Sequence, residues 1–129
     1  MKEGYKPFVL VNGFPRFVLT PNGVTFSKSA VVKLGCPAIV NFFISERDKI
    51  LLLKPAHNDD QYAIPFYREN DRSTMSVRIN NQDLMNYLCH VNGWDRTKYK
   101  YSVDGKVDYK DGTIEFDMFR AEKTLLQKR

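Results

Sequence analysis

The chain has little of what membrane-spanning and disulfide-stapled proteins require. Only two cysteines, Cys36 and Cys89, occur among its 129 residues, and a lone pair in a chain that can build a core is typical of reduced, buried thiols. No apolar run approaches the roughly 20 residues of a membrane-spanning helix, since the longest, VVKLGCPAIVNFFI, is interrupted by Lys33, Gly35 and Pro37. Prolines and a glycine also interrupt the N-terminal apolar stretch, so no signal peptide is expected. We therefore expect a cytoplasmic protein without a membrane partner.

Signatures of catalysis are also scarce. The sequence has no glycine-rich phosphate loop, no CxxC pair and no serine elbow. His57 precedes Asp59 and Asp60 in a polar run that is typical of a loop between strands. Cys89 and His90 are adjacent, and neighbours on a helix point about 100° apart, so they do not face each other as a nucleophile and a base must. We expect no enzyme activity, no cofactor and no metal site.

What the chain does have is apolar residues and positive charge. Hydrophobic residues make up 43% and aromatic residues 13% of the sequence, which is enough for one buried core and predicts a single domain. The formal net charge is +5. It is concentrated in residues 1–54, with eight Lys or Arg against three Asp or Glu, and in the tail 120–129, with four against one. Such a distribution points to an acidic partner such as nucleic acid.

The first half of the chain has the pattern of a strand, a helix and two further strands. Val24–Phe26 is β-prone, Ser27 is a natural N-cap, and Gly35 can take the left-handed conformation that ends a helix. Pro37 prevents the helix from continuing. The apolar run AIVNFFI and the run ILLLK, separated by the polar turn SERDK, then predict two paired strands.

The second half repeats this order. Met75, Val77 and Ile79 alternate with polar residues, as in a half-buried strand, and Asn80 stands at a helix cap position. Leu84, Leu88 and Val91 recur at helical spacing before Asn92-Gly93, which ends the helix. A strand with Tyr99, Tyr101 and Val103 on one face follows, then predicted hairpin turns at Asp104-Gly105 and Asp111-Gly112, and a strand with Ile114, Phe116 and Met118 on one face.

The segments outside these units are short. Tyr62–Tyr67 predicts a short strand, and Pro65 within it restricts this strand to the edge of a sheet. The tail 120–129 predicts either a short amphipathic helix, with Leu125 and Leu126 docked, or a frayed basic end. The N-terminal aromatics predict a strand or hairpin around Asn12-Gly13 and, if exposed, a surface for a partner; they are Phe8, Phe14 and Phe17.

These patterns predict an α+β fold in which two pseudo-repeated β-α-β-β halves, about residues 1–67 and 74–119, pack as one small domain with a basic tail at 120–129. The alternative is one α+β sheet that carries two short helices on one face.

The segment NGVTFSKSAVVKLGCPAIVNFFISERDKILLLKP resembles the swapped-hairpin unit of AbrB-like and MraZ-like bacterial transcription regulators. Its short strand, capped helix ending at Leu-Gly, and hairpin ending in ILLLKP carry the resemblance. The paired units also resemble, more loosely, the saddle of TATA-binding-like domains, in which the exposed sheet face meets the nucleic acid. The resemblance implies DNA binding in transcription.

Nucleic-acid binding requires cations that neutralise phosphates. The candidates lie near helix or strand starts and on a polar strand face: Arg16, Lys28, Lys33, Arg78, Lys98 and Lys100. For Lys98 and Lys100 a solvated lysine face is the alternative. We expect a non-catalytic DNA-binding or transcription-associated module of the bacterial cytoplasm, with duplex DNA as its partner. The alternative is a protein-interaction or structural module that acts through homodimerisation or binding of another protein.

Overall fold

The computed structural model describes residues 4, 13–69 and 75–127, and these form a small domain of nine strands and two α-helices that is mostly sheet. In chain order the elements are β1 Arg16–Thr20, β2 Gly23–Phe26, α1 Lys28–Lys33, β3 Ile39–Ser45, β4 Ile50–Pro55, β5 Ile64–Pro65, β6 Val77–Ile79, α2 Gln82–Asn92, β7 Tyr99–Asp108, β8 Thr113–Asp117 and β9 Glu122–Leu125. A single 3-10 turn, Met118–Arg120, joins β8 to β9.

The strands form one curled sheet, a half-barrel, in the order β5-β3-β4-β8-β7-β1-β2-β6, with β9 paired to β7. All neighbouring strands are antiparallel. The long strand β7 belongs to both halves of the curl, because its first part pairs with β1 and β9 and its last part pairs with β8. We call β9-β7-β1-β2-β6 the first half-sheet and β5-β3-β4-β8-β7 the second.

The core lies inside the curl, where both half-sheets contribute aromatic rings. Phe26 is fully buried, and its ring lies within 6.0 Å, centroid to centroid, of the rings of Phe17, Phe42, Phe66 and Phe116. All four contacts are tilted or edge-to-face, with interplanar angles of 34° to 66°, which aromatic pairs prefer. Because the five rings come from both half-sheets, they join the two halves into one core.

The two helices begin and end largely as the sequence predicts. The Ser27 hydroxyl accepts a hydrogen bond from the backbone N–H of Ala30 and caps α1. Gly35, with φ 87°, follows the end of α1, and Gly93, with φ 66°, ends α2. Both glycines take the left-handed conformation that terminates helices. Leu88 and Val91 of α2 are buried as predicted, together with Met85, which the spacing did not single out.

The prediction of a hairpin turn at Asp104-Gly105 is wrong, because both residues lie within the continuous strand β7. A Cβ atom at Gly105 would come within 2.6 Å of Cγ2 of Ile114 and 2.7 Å of Cε1 of Phe116. Gly105 therefore allows β8 to lie close to β7 where the sheet curls. From the sequence alone, a glycine needed for close strand packing cannot be distinguished from a glycine in a turn. The other predicted turn, at Asp111-Gly112, does join β7 to β8.

Two other predicted boundaries differ from the structure. The N-cap of α2 is Asn81, whose side chain accepts from the N–H of Leu84, and Asn80 lies one residue outside the helix. Both alternatives for the tail are wrong at residues 122–125, which form neither a helix nor a frayed end but β9 on the edge of β7, and Leu125 is 67% exposed rather than docked. A free β7 edge offers this segment a full set of backbone hydrogen bonds, whereas an isolated short helix is marginal.

The N-terminal aromatics separate into different environments. Phe17 is fully buried in the core, and Phe14 is 72% exposed. Phe8 and the predicted turn residue Asn12 lie outside the described residues. The observed hairpin in this region joins β1 to β2 through residues 21–22.

The predicted edge strand Tyr62–Tyr67 is shorter in the structure, where β5 spans Ile64–Pro65 and ends the strand order. Both cysteines, Cys36 and Cys89, are free and half-buried. Neither described helix has the length and apolar character needed to cross a bilayer.

Candidate nucleic-acid interface

Three of the six predicted cations lie on the outer face of the first half-sheet, and a fourth, Lys98, lies in the turn immediately before β7. We call this surface the basic sheet face, and it carries Arg16, Arg78, Lys98 and Lys100. Alternation along each strand produces it, because Phe17, Leu19, Tyr101 and Val103 point into the core and their neighbours point outward. The sheet order then brings together side chains from β1, β6 and β7 that are far apart in the sequence.

Arg78 is held on this face by its neighbours on β2. It lies directly opposite Thr25. Its aliphatic stem passes over Gly23, where an added Cβ would lie 3.0 Å from Cγ of Arg78. A glycine at position 23 therefore gives the stem a surface to lie on, while the residue as a whole stays exposed.

The two lysines are placed by the pairing of β7 with β9. Lys100 lies opposite Thr124, and the pairing continues one residue further, where the N–H of Leu126 donates to the carbonyl of Lys98 at 2.8 Å. Lys100 lies on the outer face of β7, and the exposed Lys98 lies in the turn that leads into this strand. The next residue, Tyr101, points into the core and is only 4% exposed. Strand alternation predicted this inward direction for the tyrosines.

Arg16 forms an ion pair, whereas the other three cations form none with the residues that the structure describes. Its Nε lies 2.7 Å from Oδ1 of Asp104, directly opposite on β7. This carboxylate, through its hydrogen bond and its charge, raises the pKa of the Arg16 guanidinium further above its usual range. The pair was not predicted, because its members are 88 residues apart in the sequence.

Two hydroxyl side chains, one apolar side chain and one carboxylate lie on this face beside the cations. A row across the face runs from Glu122 through Ser102, Val18 and Thr25 to Arg78, each opposite the next. Hydroxyl groups are donors to phosphate oxygens. The alternation of polar and apolar residues along β1 and β7 indicates in the sequence that these hydroxyl groups face outward. It does not single them out, because hydroxyl residues are common on strands.

Lys28 and Lys33 do not join this face. Both lie on α1, five residues apart, so their side chains point about 140° apart around the helix axis. Lys28 is exposed in the first turn, and Lys33 is half-buried in the last turn. Lys28 and Lys33 therefore do not converge on one exposed face, as DNA binding through both would require.

The other candidate chemical groups have structural contacts. The carboxylate of Asp60 accepts from the backbone N–H of His57 at 2.9 Å and from the side-chain amide of Asn41 at 3.0 Å. The His57 contact is the main cause that lowers the pKa of Asp60. These bonds close the loop between β4 and β5, and His57 itself is exposed.

The thiols are not activated. Burial raises the pKa of both Cys36 and Cys89 above the ordinary value for a thiol, which lowers the fraction of reactive thiolate at neutral pH. Cys89 lies on α2 beside the exposed His90. Within the ranges the structure describes, no three His, Cys, Asp or Glu side chains are grouped so that they would hold a metal ion.

No protein-family model matches the chain, and no curated protein or solved structure matches it either.

Proposed function

We propose that this protein is a non-catalytic nucleic-acid-binding module that binds duplex DNA through the basic sheet face. The observation that carries the proposal is the position of Arg16, Arg78 and Lys100 on one side of the first half-sheet, with Lys98 in the turn that leads into β7. A role in bacterial transcription, in the manner of the AbrB-like and MraZ-like regulators that the sequence resembles, is part of the same proposal.

Three of these cations are available for phosphates. Arg16 is paired with Asp104, whereas Arg78, Lys98 and Lys100 form no ion pair with a carboxylate in the described part of the chain. Each phosphate neutralised by a lysine or arginine releases condensed counterions from the DNA. Hydroxyl groups beside the cations, on Thr25, Ser102 and Thr124, add uncharged donors that hold the backbone in place. This chemistry favours binding to the phosphate backbone over reading of base sequence.

The proposal is tested with a charge-matched pair of triple variants. The first replaces Arg78, Lys98 and Lys100 by Gln; the control replaces the exposed lysines Lys54, Lys106 and Lys110 of β4, β7 and the adjoining turn by Gln. Both remove three positive charges. Fluorescence anisotropy of a labelled random duplex is followed at about 50 mM and about 200 mM salt, where several phosphate contacts change affinity steeply.

We expect wild type and the control variant to bind with affinity that falls steeply with salt, and the Arg78, Lys98, Lys100 variant to bind more weakly with a slope reduced by about one per cation removed. Equal loss in both triple variants would mean that net charge, not this face, drives binding. Absence of binding by wild type at the lower salt would contradict the proposal.

We infer further that the two β-α-β-β units, β2-α1-β3-β4 and β6-α2-β7-β8, are related by a pseudo-two-fold axis. The strand register supports this inference. Strands β2 and β6 pair with Thr25 opposite Arg78 at the centre. A two-fold rotation about this central pair exchanges the two strands. It moves the pair Val24–Ile79 onto the pair Val77–Phe26. Both units contribute equivalent strands to the same contact, as a two-fold axis through this pair requires.

The hairpins show the same relation. Leu52 of β4 lies opposite Glu115 of β8. Within their own hairpins, Leu52 pairs with Phe43 and Glu115 pairs with Lys106. The sequence offset between Phe43 and Lys106 equals that between Leu52 and Glu115, so one rotation about the central pair superposes both hairpins. This agreement in register favours two related halves over a chance succession of elements.

A protein-interaction module is the second candidate, and the unpaired strand edges favour it. Strands β5 and β6 end the sheet order, and within the described residues they are not paired with each other. A groove of about 440 Å³ is lined by both. The N–H of Phe66 donates to Ala38 on the β3 side, so strand alternation directs position 65 toward β6, where Pro65 has no N–H to give. Within the described residues neither edge has a strand partner along this groove, which suits an added strand from a partner or a second copy.

Sedimentation velocity over about 1 to 100 µM protein tests homodimerisation in this second candidate, across the range of weak to moderate affinities. Association accompanied by slower hydrogen exchange at Val77–Ile79 would support it. A monomer at all concentrations would rule out homodimerisation through these edges.

A further inference from the structure

A cavity of about 350 Å³ lies where the end of α2, the 3-10 turn and the start of β9 meet. Its lining is dominated by aromatic rings and positive charge: Trp94, Tyr101, Phe119, Lys49 and Lys123. This volume is at the lower end of the range of small-molecule sites in proteins. The cavity is separate from the basic sheet face, since Tyr101 and Lys123 point to the opposite side of β7 and β9 from Lys100 and Thr124.

The aromatic wall is held rigidly. Trp94 stacks on Tyr101, with the ring centroids 4.5 Å apart and the planes 11° from parallel. The Tyr101 hydroxyl accepts from the N–H of Asp95 at 2.7 Å, and the N–H of Trp94 donates to the carbonyl of Cys89 at 2.9 Å. A ring fixed in this way loses little freedom when a flat ligand contacts it.

Phe119 is an exposed aromatic that folding does not explain. It is 72% exposed, although its neighbour Met118 is only 2% exposed and occupies the core. The Asp117 side chain accepts from the N–H of Phe119 at 3.2 Å, which holds the turn and keeps the phenyl ring outside. A large apolar side chain kept at the side of a cavity is a feature of a ligand-contacting surface.

The charge in the cavity is of one sign. Lys49 is tied to the 3-10 turn, because its carbonyl accepts from the N–H of Met118 at 2.8 Å. The Lys123 ammonium lies 4.7 Å from the centroid of the Tyr99 ring. No Asp or Glu is among the described residues that line the cavity. The nearby Asp117 lies within 3.5 Å of Arg120, which offsets its charge.

We propose that this cavity binds a small planar aromatic anion. The ring packs against Trp94 and Phe119, and the anionic group is neutralised by the ammonium groups of Lys49 and Lys123. Nucleoside monophosphates and aromatic carboxylates share this chemistry. The proposal does not depend on DNA binding by the basic sheet face, because it concerns different side chains.

The test uses the single tryptophan of the chain as its reporter. Adenosine monophosphate and 2-naphthoate are titrated in turn to about 10 mM, which covers weak affinities. Uncharged adenosine and inorganic phosphate are titrated as partial ligands. Trp94 fluorescence is followed, and calorimetry provides a second reading of the same binding.

We expect saturable quenching by at least one of the two aromatic anions. Saturation by adenosine monophosphate alone assigns a nucleotide, and saturation by 2-naphthoate alone assigns an aromatic carboxylate. Adenosine that binds as well as adenosine monophosphate, with no binding of 2-naphthoate, would overturn the role of the lysines. No saturable binding of either anion would overturn the proposal.

Two variants connect binding to the cavity. Phe119→Ala and the double variant Lys49→Gln, Lys123→Gln change side chains outside the core, and each should weaken binding by about tenfold, the size of effect expected for loss of a stacking or charged contact. The control is Tyr109→Ala, which removes an aromatic that is 79% exposed on the turn between β7 and β8. Unchanged affinity in both cavity variants would place the ligand elsewhere and overturn the assignment.

Discussion

At Gly105 the chain has no space for one additional carbon atom. The nearest atoms to an added Cβ, on Ile114 and Phe116, belong to fully buried side chains that cannot swing away. Gly105→Ala should therefore lower the free energy of unfolding by about 1–3 kcal/mol, the usual cost of overfilling a core. Urea denaturation measures this. The adjacent exposed residue provides the control, since Lys106→Ala should change stability by no more than about 0.5 kcal/mol. Equal stability of Gly105→Ala and wild type would show that β7 and β8 are further apart than described.

The loop after α2 contains a carboxylate whose ionised form is favoured by its neighbours. The hydroxyl and the backbone N–H of Thr97 donate to Asp95, and these bonds are the main causes that lower the pKa of Asp95. A lowered pKa in the folded state stabilises the fold above the unfolded value of about 3.9, and this contribution is lost as the pH falls through the lower folded value.

Thr97→Ala removes the hydroxyl donor and keeps the backbone donor. We expect the pKa of Asp95 to rise toward its ordinary value, measured by NMR titration of the side-chain carboxyl carbon. Thr124→Ala on β9 is the control and should leave the Asp95 titration unchanged. An unchanged titration in Thr97→Ala would mean that the hydroxyl does not stabilise the carboxylate.

At the scale of elements, the start of α2 distinguishes two adjacent asparagines. Asn81 accepts from the N–H of Leu84 at 2.9 Å, whereas Asn80 accepts from the exposed Gln82 side chain at 3.3 Å. Asn81→Ala should lower the free energy of unfolding by about 1 kcal/mol. Asn80→Ala should have little effect, which chemical denaturation of the two variants checks directly. A larger loss of stability in Asn80→Ala than in Asn81→Ala would mean that Asn80 is the N-cap, as the sequence predicted.

The elements also show how far local sequence signals reach. The cap at Ser27, the glycine stops at Gly35 and Gly93, and the pairing of β3 with β4 follow from residues close in sequence, and all were predicted. The tail shows where such signals end. Residues 122–125 have no strong strand preference, and they form β9 because β7, brought close by the curl of the sheet, offers an unpaired edge.

At the scale of the whole molecule, the aromatic cluster around Phe26 predicts that the two half-sheets unfold together. Phe26 contacts aromatic rings from both halves, so a cavity at this position weakens both. Phe26→Ala should lower the free energy of unfolding by about 3–5 kcal/mol, a large part of the 5–15 kcal/mol typical of a domain.

Thermal unfolding followed both by far-UV circular dichroism and by Trp94 fluorescence measures this cooperativity. Trp94 lies next to the first half-sheet, whereas circular dichroism reports on all strands. We expect one coincident transition for wild type and a lower, still coincident, transition for Phe26→Ala. Two separated transitions would indicate halves that fold independently.

The sequence by itself determined the local structure and the composition of the candidate interface. Caps, stops, strand alternation and the outward direction of Lys98 and Lys100 depend on neighbours within a few residues, and the cations were identified from residue type. The tertiary structure decided which of these residues meet. Arg16 came to Asp104 across 88 positions, Arg78 came beside Thr25, and Trp94 met Phe119 and Lys123 at one cavity. Strand order and the curl at Gly105 create these contacts, because they follow from how the whole core packs and no short stretch of sequence carries that information.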